Sequence, residues 1–114
     1  MAELRLFGYF DSYGASQCAG ENLQEILSEN PAPDEAQIVI YLKNGIGLAG
    51  CGGVRSDILN PSLEVHLGAD IYTDGVWAWP EYLAYYVEKY HARIPKEFLD
   101  HMKSKDWRIP HDFQ

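Results

Sequence analysis

Two dipeptides in which glycine follows asparagine or aspartate constrain this fold more than any other sequence feature. They are Asn44-Gly45 and Asp74-Gly75, and each lies between two short apolar runs. Such pairs favour tight hairpin turns, because these residue types tolerate a positive φ at little cost. The sequence therefore predicts two antiparallel hairpins, with turns at Asn44-Gly45 and Asp74-Gly75.

The first half of the chain carries both strand and helix patterns. Alternating apolar residues predict a strand over residues 3–10, and apolar residues three and four apart predict a helix over residues 15–29. The β-branched and aromatic run over residues 37–42 predicts the first strand of the Asn44-Gly45 hairpin, and residues 46–51 predict its partner.

The second half of the chain continues with strands and closes with two helices. Strands are predicted over residues 62–67 and on both sides of Asp74-Gly75. Pro80 and Pro95 each suit the first turn of a helix, and apolar stripes continue these helices to about residues 91 and 103. We therefore expect one α+β domain over residues 1–114, with a mostly antiparallel sheet, one N-terminal helix and two C-terminal helices.

The composition places the chain among globular proteins of one domain. Its 114 residues are 46% hydrophobic and 23% charged, with a net charge of -8. This balance argues against nucleic-acid binding, which needs basic surface, and no apolar stretch has the length of a membrane span. Cys18 and Cys51 are too few for a disulfide framework, so we expect reduced thiols and a cytoplasmic protein.

Negative charge is concentrated in the first two-thirds of the chain. Residues 1–75 contain 11 acidic and 3 basic side chains, whereas residues 76–114 contain six of each. An acidic surface of this kind favours a basic protein partner, because it accelerates association with positive charge. A solvated acidic face without a partner is the alternative. The candidate partner contacts are Asp11, Glu21, Glu25, Glu29, Asp34 and Glu35.

Three of these acids, Glu21, Glu25 and Glu29, are spaced by four residues within the predicted first helix. Side chains at this spacing are neighbours on a helix surface. The spacing therefore predicts one acidic ridge, with Asp11, Asp34 and Glu35 as charges around it.

No catalytic, cofactor-binding or metal-binding motif is present in the sequence. The glycines match neither a dinucleotide loop nor a phosphate loop, and no histidines or cysteines have the local spacing of a zinc site. An enzyme would have to use Cys51 as a nucleophile, or a carboxylate pair such as Asp70 and Asp74. We therefore expect a protein without cofactor or metal that is not an enzyme.

Aromatic residues are dense in the segment over residues 77–90. Trp77 and Trp79 are two residues apart, so a strand places both on one face, where we expect them to fill the core. Tyr82 and Tyr85 lie beside the apolar stripe of the following helix and are the expected exposed contacts for a partner. A ligand pocket between the sheet and this helix is the alternative use of these aromatics.

The segment from Tyr72 to Met102 resembles a pattern found in small bacterial proteins. It contains YTDGVWAWP from Tyr72 and LAYYVEKYH from Leu83, followed by Pro95 and Phe98. Some proteins with this pattern resemble immunity proteins, which neutralise polymorphic or contact-dependent toxins. The resemblance implies a shared scaffold and supplies no catalytic residues.

These observations lead to one main functional hypothesis and one alternative. The main hypothesis is a cytoplasmic, non-catalytic inhibitor of the immunity type, which sequesters a basic bacterial toxin through its acidic surface. The alternative is a small-ligand or regulatory binding module, with its pocket beside the helix that follows Pro80. A homodimer is compatible with both.

Overall fold

A four-stranded sheet and three α-helices organise the described part of the chain. The computed structural model of the chain describes residues 4–8, 23–49, 54–57, 59–60, 62–68 and 70–109. The strands are β1 (Arg5–Leu6), β2 (Ile46–Ala49), β3 (Val54–Arg55), β4 (Leu67–Gly68), β5 (Ile71–Thr73) and β6 (Trp77–Pro80). The helices are a 3-10 helix (Leu23–Ile26), α1 (Glu35–Lys43), α2 (Leu83–Tyr90) and α3 (Lys96–Ser104).

The sheet is mixed, with the strand order β1-β6-β5-β2. Strand β5 pairs antiparallel with both β6 and β2, whereas β1 pairs parallel with β6. Strands β3 and β4 form a separate antiparallel pair. The predicted α+β class is therefore confirmed. The structure also contains the parallel β1–β6 pair, which the sequence analysis did not predict. That pair joins strands distant in sequence, and local patterns do not reveal such pairings.

The β5–β6 hairpin is present, and its turn is shifted by one residue from the prediction. Thr73 pairs with Ala78, and the amide of Asp74 donates to the carbonyl of Trp77 at 3.2 Å. The two loop residues are therefore Gly75 and Val76. Gly75 has a φ of 97°, which suits the glycine-first turn of a two-residue hairpin.

The hairpin predicted at Asn44-Gly45 is wrong. The run over residues 37–42, predicted as a strand, lies in helix α1, and Asn44 caps the end of this helix with a φ of -96°. Gly45 leads directly into β2, which pairs with β5. Residues 38–42 of this run are all apolar or aromatic, so the side chain of Ile40, which is 59% exposed, could not be distinguished in the sequence from its buried neighbours.

The two C-terminal helices are present, and only their first residues require correction. Pro80 does not open a helix; it ends β6, where it pairs with Ile71. Helix α2 begins three residues later at Leu83 and ends at Tyr90, and the C-cap residue His91 adopts a left-handed conformation with a φ of 59°. Pro95 is the N-cap residue of helix α3, which begins one residue later at Lys96, so the predicted start is wrong by one residue.

The N-terminal helix predicted over residues 15–29 is absent from the described part of that range. A 3-10 helix occupies Leu23–Ile26, and no helix follows until α1. The rest of the prediction, residues 15–22, lies outside the described residues, as do Cys18 and Cys51. In the strand predicted over residues 62–67, only Leu67 is in a strand, because β4 covers Leu67–Gly68.

Aromatic side chains from the sheet and the helices form the centre of the core. Trp77 and Trp79 are both buried, as predicted. The ring of Phe98 on α3 stacks on Trp77 with centroids 4.5 Å apart and lies 5.5 Å from Trp79. The indole nitrogen of Trp79 donates to the carbonyl of Leu42 at 3.1 Å. This cluster fixes α1 and α3 against strand β6.

Candidate binding cleft

A cleft of about 370 Å³ lies between the sheet and helix α2. Its volume falls within the range of small-ligand sites, roughly 300–1,000 Å³. The position agrees with the alternative hypothesis, which expects a pocket beside the helix that follows Pro80. Charged and aromatic side chains supply most of its lining: Lys43, His66, Tyr72, Glu81, Tyr82 and Tyr85.

Glu81 is a half-buried carboxylate that lies in the turn between β6 and α2. Its amide donates to the carbonyl of Asp70 at 2.7 Å, which anchors this turn to the residue before β5. Its carboxylate lies directly over Gly68, where an added Cβ would be 2.0 Å from Oε1. The absence of a side chain at Gly68 therefore permits the observed position of the Glu81 carboxylate.

The surroundings of Glu81 leave its negative charge uncompensated. Within the described part of the chain, none of the ion pairs closer than 4.0 Å includes Glu81. Burial raises the pKa of the nearby phenol of Tyr72, and the charges of Glu81 and Asp70 raise it further, so the phenol stays protonated.

A surface ion pair lies on one side of the cleft. Nζ of Lys43 is 3.6 Å from Oε1 of Glu88, and both side chains are largely exposed. Both residues also line a neighbouring groove between α1 and α2, which includes Val39 and Ile40. An exposed pair of this kind contributes little to stability, but it gives Lys43 a partner other than Glu81.

Tyr85 is held in the cleft wall by the buried carboxylate of Asp57. Oδ2 of Asp57 accepts hydrogen bonds from the hydroxyls of Tyr85 at 2.6 Å and Tyr90 at 2.7 Å. Oδ1 accepts from the amides of Leu59 at 2.7 Å and Asn60 at 3.0 Å. Asp57 thereby connects the loop after β3 to helix α2.

These four hydrogen bonds also determine the ionisation of Asp57, which is 0% exposed. Burial acts to raise its pKa, but the bonds from Tyr85, Tyr90 and the two amides outweigh burial and hold the pKa below its ordinary value. A carboxylate that is ionised and fully hydrogen-bonded suits a structural role better than proton transfer.

Tyr82 and Tyr85 are less exposed than predicted. Tyr82 is only 6% exposed, and Tyr85 is half-buried. The prediction that both side chains are exposed is therefore wrong. Tyr82 lies in the turn before α2 and is packed against the fold, and Tyr85 is only partly accessible. Both residues nevertheless line the cleft, where part of each remains accessible to a ligand.

The acidic ridge does not form on one helix. Glu25 and Glu29 are both exposed, but the 3-10 helix ends at Ile26, so they do not share a helical face. Asp11 and Glu21 lie outside the described residues.

The other two candidate acids have basic neighbours within the fold. Oδ2 of Asp34 lies 3.6 Å from Nζ of Lys103, and Oε1 of Glu35 lies 2.8 Å from Nδ1 of His91. The charge of Asp34 is therefore partly balanced before any partner binds, and Glu35 already has a hydrogen-bond partner within the fold. Glu25 and Glu29 have no ion-pair partner within 4.0 Å among the described residues.

The carboxylate pair considered for catalysis is not set up as an acid/base pair. Asp74 is 2% exposed and accepts hydrogen bonds from the amides of Val76 and Trp77, which shape the hairpin turn. The carbonyl of Asp70 anchors the amide of Glu81. Sequence reasoning identified Asp74 as a turn former, but it missed Glu81 and Asp57. Glu81 follows Trp79-Pro80, which marks it only as a residue near a predicted helix start. No local pattern around Asp57 indicates its contacts with α2.

Comparisons with known proteins give no match, either to a family model, to a curated protein or to a solved structure. Across the described residues, no group of three or more histidine, cysteine, aspartate and glutamate side chains is placed to hold a metal ion. None of the helices in those residues combines the length and apolarity needed to cross a bilayer. The resemblance to immunity proteins stays a prediction.

Proposed function

We propose that this chain is a non-catalytic binding protein that captures a basic protein partner, of the kind that a toxin domain would provide for an immunity-type inhibitor. The observation that carries the proposal is negative charge without internal compensation. Glu25, Glu29 and Glu81 have no basic side chain within 4.0 Å among the described residues. Carboxylates in this state attract a cationic surface and favour it over an acidic one.

The buried carboxylates support a binding role over a catalytic one. Asp57 and Asp74 are saturated by hydrogen bonds from the fold itself. General acid/base catalysis needs a group that exchanges a proton with a substrate. These two residues instead stabilise the loops beside α2 and β6, and the exposed acids remain for recognition.

Affinity capture tests the proposal directly. The tagged protein is incubated with lysate of its own organism, eluted in a salt gradient, and analysed by mass spectrometry. We expect one basic protein in equimolar amount, released by salt, because the attraction between exposed charges is screened. A retained partner that is not basic, or whose release does not depend on salt, would contradict the proposal.

Charge-matched variants assign the contact to a surface. The double variant Glu25→Gln/Glu29→Gln removes two uncompensated acids, and Glu64→Gln/Glu97→Gln removes two exposed acids elsewhere. We expect the first variant to release the partner at lower salt and to bind it with a lower association rate constant, because steering depends on local charge. The second variant should behave like the wild type if the segment around Glu25 makes the contact.

A small-ligand binding module is the second candidate, and the cleft beside α2 is the observation that favours it. The cleft has the volume of a ligand site and three tyrosines in its lining. A thermal-shift screen of small molecules tests this function. A ligand that raises the melting temperature, and that loses this effect on substitution of Glu81, would favour the module over the inhibitor.

A further inference from the structure

We propose that the cleft receives the guanidinium group of an arginine side chain from the protein partner, with Glu81 as its counter-ion. This inference rests on the proposed function, because it names the group of the basic partner that the cleft recognises. Three features support it: a carboxylate without an ion-pair partner among the described residues, an aromatic lining, and carboxylate charges that favour a cation over an anion.

The carboxylate of Glu81 is held in place before any ligand binds. The backbone at Gly68 passes directly beneath it, so close that an added Cβ would lie 2.0 Å from Oε1, and the amide of Glu81 is tied to the carbonyl of Asp70 at 2.7 Å. A half-buried carboxylate of this kind has lost part of its hydration but has gained no cation in exchange. A guanidinium replaces the lost hydration with charge-assisted hydrogen bonds, which are stronger than those between neutral groups.

Aromatic rings line the same cleft. Tyr72, Tyr82 and Tyr85 contribute to its wall, and the hydrogen bond from Tyr85 to Asp57 restricts the movement of one of these rings. A planar guanidinium packs well on aromatic surfaces and can bond to a carboxylate through two nitrogens. Because the rings and the carboxylate are held by the fold, binding costs less conformational entropy.

The charges around the cleft favour a cation over an anion. Glu81 and Glu88 both line it, and Asp70 lies close enough to raise the pKa of Tyr72. The lining also contains His66 and Lys43, and the ammonium group of Lys43 already lies beside Glu88. An anionic ligand would therefore meet two carboxylates, whereas an arginine would meet Glu81, which makes no ion pair within 4.0 Å among the described residues.

Binding of a defined peptide tests the inference without knowledge of the natural partner. The probe is the blocked tripeptide acetyl-Ala-Arg-Ala-amide, titrated into the protein and followed by the amide NMR signals of cleft residues such as Tyr72 and Ala84. The control is the same peptide with citrulline, which keeps the shape of arginine but lacks its charge. We expect saturable shifts with the arginine peptide, and binding at least about tenfold weaker with the citrulline peptide.

Two substitutions separate the charge of Glu81 from its position. Glu81→Gln removes the charge, and Gly68→Ala displaces the carboxylate, because the new Cβ would occupy its place. We expect each variant to bind the arginine peptide at least about tenfold more weakly. Glu97→Gln, an equal change of charge on α3, should bind it like the wild type, and all three variants should keep the wild-type circular dichroism spectrum.

Several results would overturn the inference. These are equal binding of the citrulline peptide, unchanged binding by Glu81→Gln, or saturable binding of the free amine agmatine with none of the arginine peptide. The last result would assign the cleft to a small cationic ligand. If Glu81→Gln captures the basic partner from lysate as well as the wild type does, the inference fails while the proposed function stands. If the arginine peptide binds but no basic partner is captured, the proposed function fails, and what stands of the inference is the affinity of the cleft for a guanidinium group.

Discussion

The phenol of Tyr41 on helix α1 donates a hydrogen bond to Oδ2 of Asp74, the buried carboxylate at the turn of the β5–β6 hairpin. Oδ1 of the same carboxylate accepts the amides of Val76 at 2.9 Å and Trp77 at 2.7 Å. Nε2 of His101 on α3 lies 3.3 Å from Oδ2. One carboxylate thus joins the hairpin to two helices that are distant in sequence.

Replacement of Asp74 by alanine should destabilise the protein strongly. The change leaves two backbone amides and the hydroxyl of Tyr41 without their acceptor. Each buried donor that loses its hydrogen bond costs about 1–3 kcal/mol. We expect the free energy of unfolding, measured with urea, to fall by about 3 kcal/mol or more. Asp100→Ala, which removes an exposed partner of Lys96, should change it little. Similar values for the two variants would contradict the structural role of Asp74.

Asp57 should make stability depend on pH in the acid range. Its pKa in the folded protein lies below the ordinary value, which is about 3.9 in an unfolded chain. The carboxylate therefore stabilises the fold fully above that value, and the stabilisation is lost as the pH falls through the folded-state pKa. We expect the free energy of unfolding to decrease below about pH 4 more steeply for the wild type than for Asp57→Asn. Parallel pH profiles would argue against the hydrogen bonds from Tyr85 and Tyr90.

Four tyrosines should resist ionisation at alkaline pH. Burial raises the pKa of Tyr41, Tyr72, Tyr85 and Tyr90, and neighbouring carboxylates add to the effect; for Tyr90 the value is about 12. An unfolded tyrosine ionises at about pH 10. The contribution of the four protonated phenols to the free energy of unfolding is therefore complete below that pH and is lost as the pH rises further.

Ultraviolet absorbance of tyrosinate, recorded together with circular dichroism, measures this resistance. Of the eight tyrosines in the chain, these four should ionise only at higher pH or together with unfolding. Ionisation of all eight near about pH 10 in a folded protein would contradict the buried environments of their hydroxyls.

The parts of the fold that could be predicted are those in which local chemistry decides the structure. Asp74 and Gly75 predict a turn because one residue accepts nearby amides and the other permits a positive φ. Pro95 predicts the start of a helix in the same way. The parallel β1–β6 pair, and the contact of Tyr41 with Asp74 across 33 residues, follow from tertiary packing, so no local pattern reveals them.

Helix α1 shows why the hydrophobic pattern gave the wrong structure. Ile38, Val39, Tyr41 and Leu42 are buried and Ile40 is exposed, which is helical spacing and not alternation. All five residues are apolar or aromatic, so the sequence alone could not distinguish the two periods, and β-branched composition favoured a strand.

The position of the cleft was predicted, but the residues that give it a negative charge were not. Glu81 lies beside Gly68 of β4 and Tyr72 of β5, which are distant from it in sequence, so no local pattern reveals this arrangement.

The correction at Asn44-Gly45 leads to a prediction that separates a hairpin turn from a helix end. A hairpin with this pair in its loop would require a positive φ at Asn44, whereas Asn44 has a φ of -96° at the end of α1. We therefore expect Asn44→Ala to change the free energy of unfolding by less than about 0.5 kcal/mol. A larger loss would favour the hairpin.

Gly45 is required for a different reason, which is the close approach of the core. A Cβ at Gly45 would lie 2.7 Å from Cζ2 of Trp79 and 2.8 Å from Cβ of Tyr72. Trp79 is 0% exposed and its indole is tied to the carbonyl of Leu42, so the ring cannot move aside cheaply. Gly45→Ala should lower the free energy of unfolding, measured with urea, by about 1–3 kcal/mol.

Gly47→Ala is the matched control for Gly45→Ala, because a Cβ there meets no atom within 4 Å. The control should therefore keep more of its stability than Gly45→Ala does. Equal stability of the two variants would mean that the Trp79 ring does not pack over Gly45.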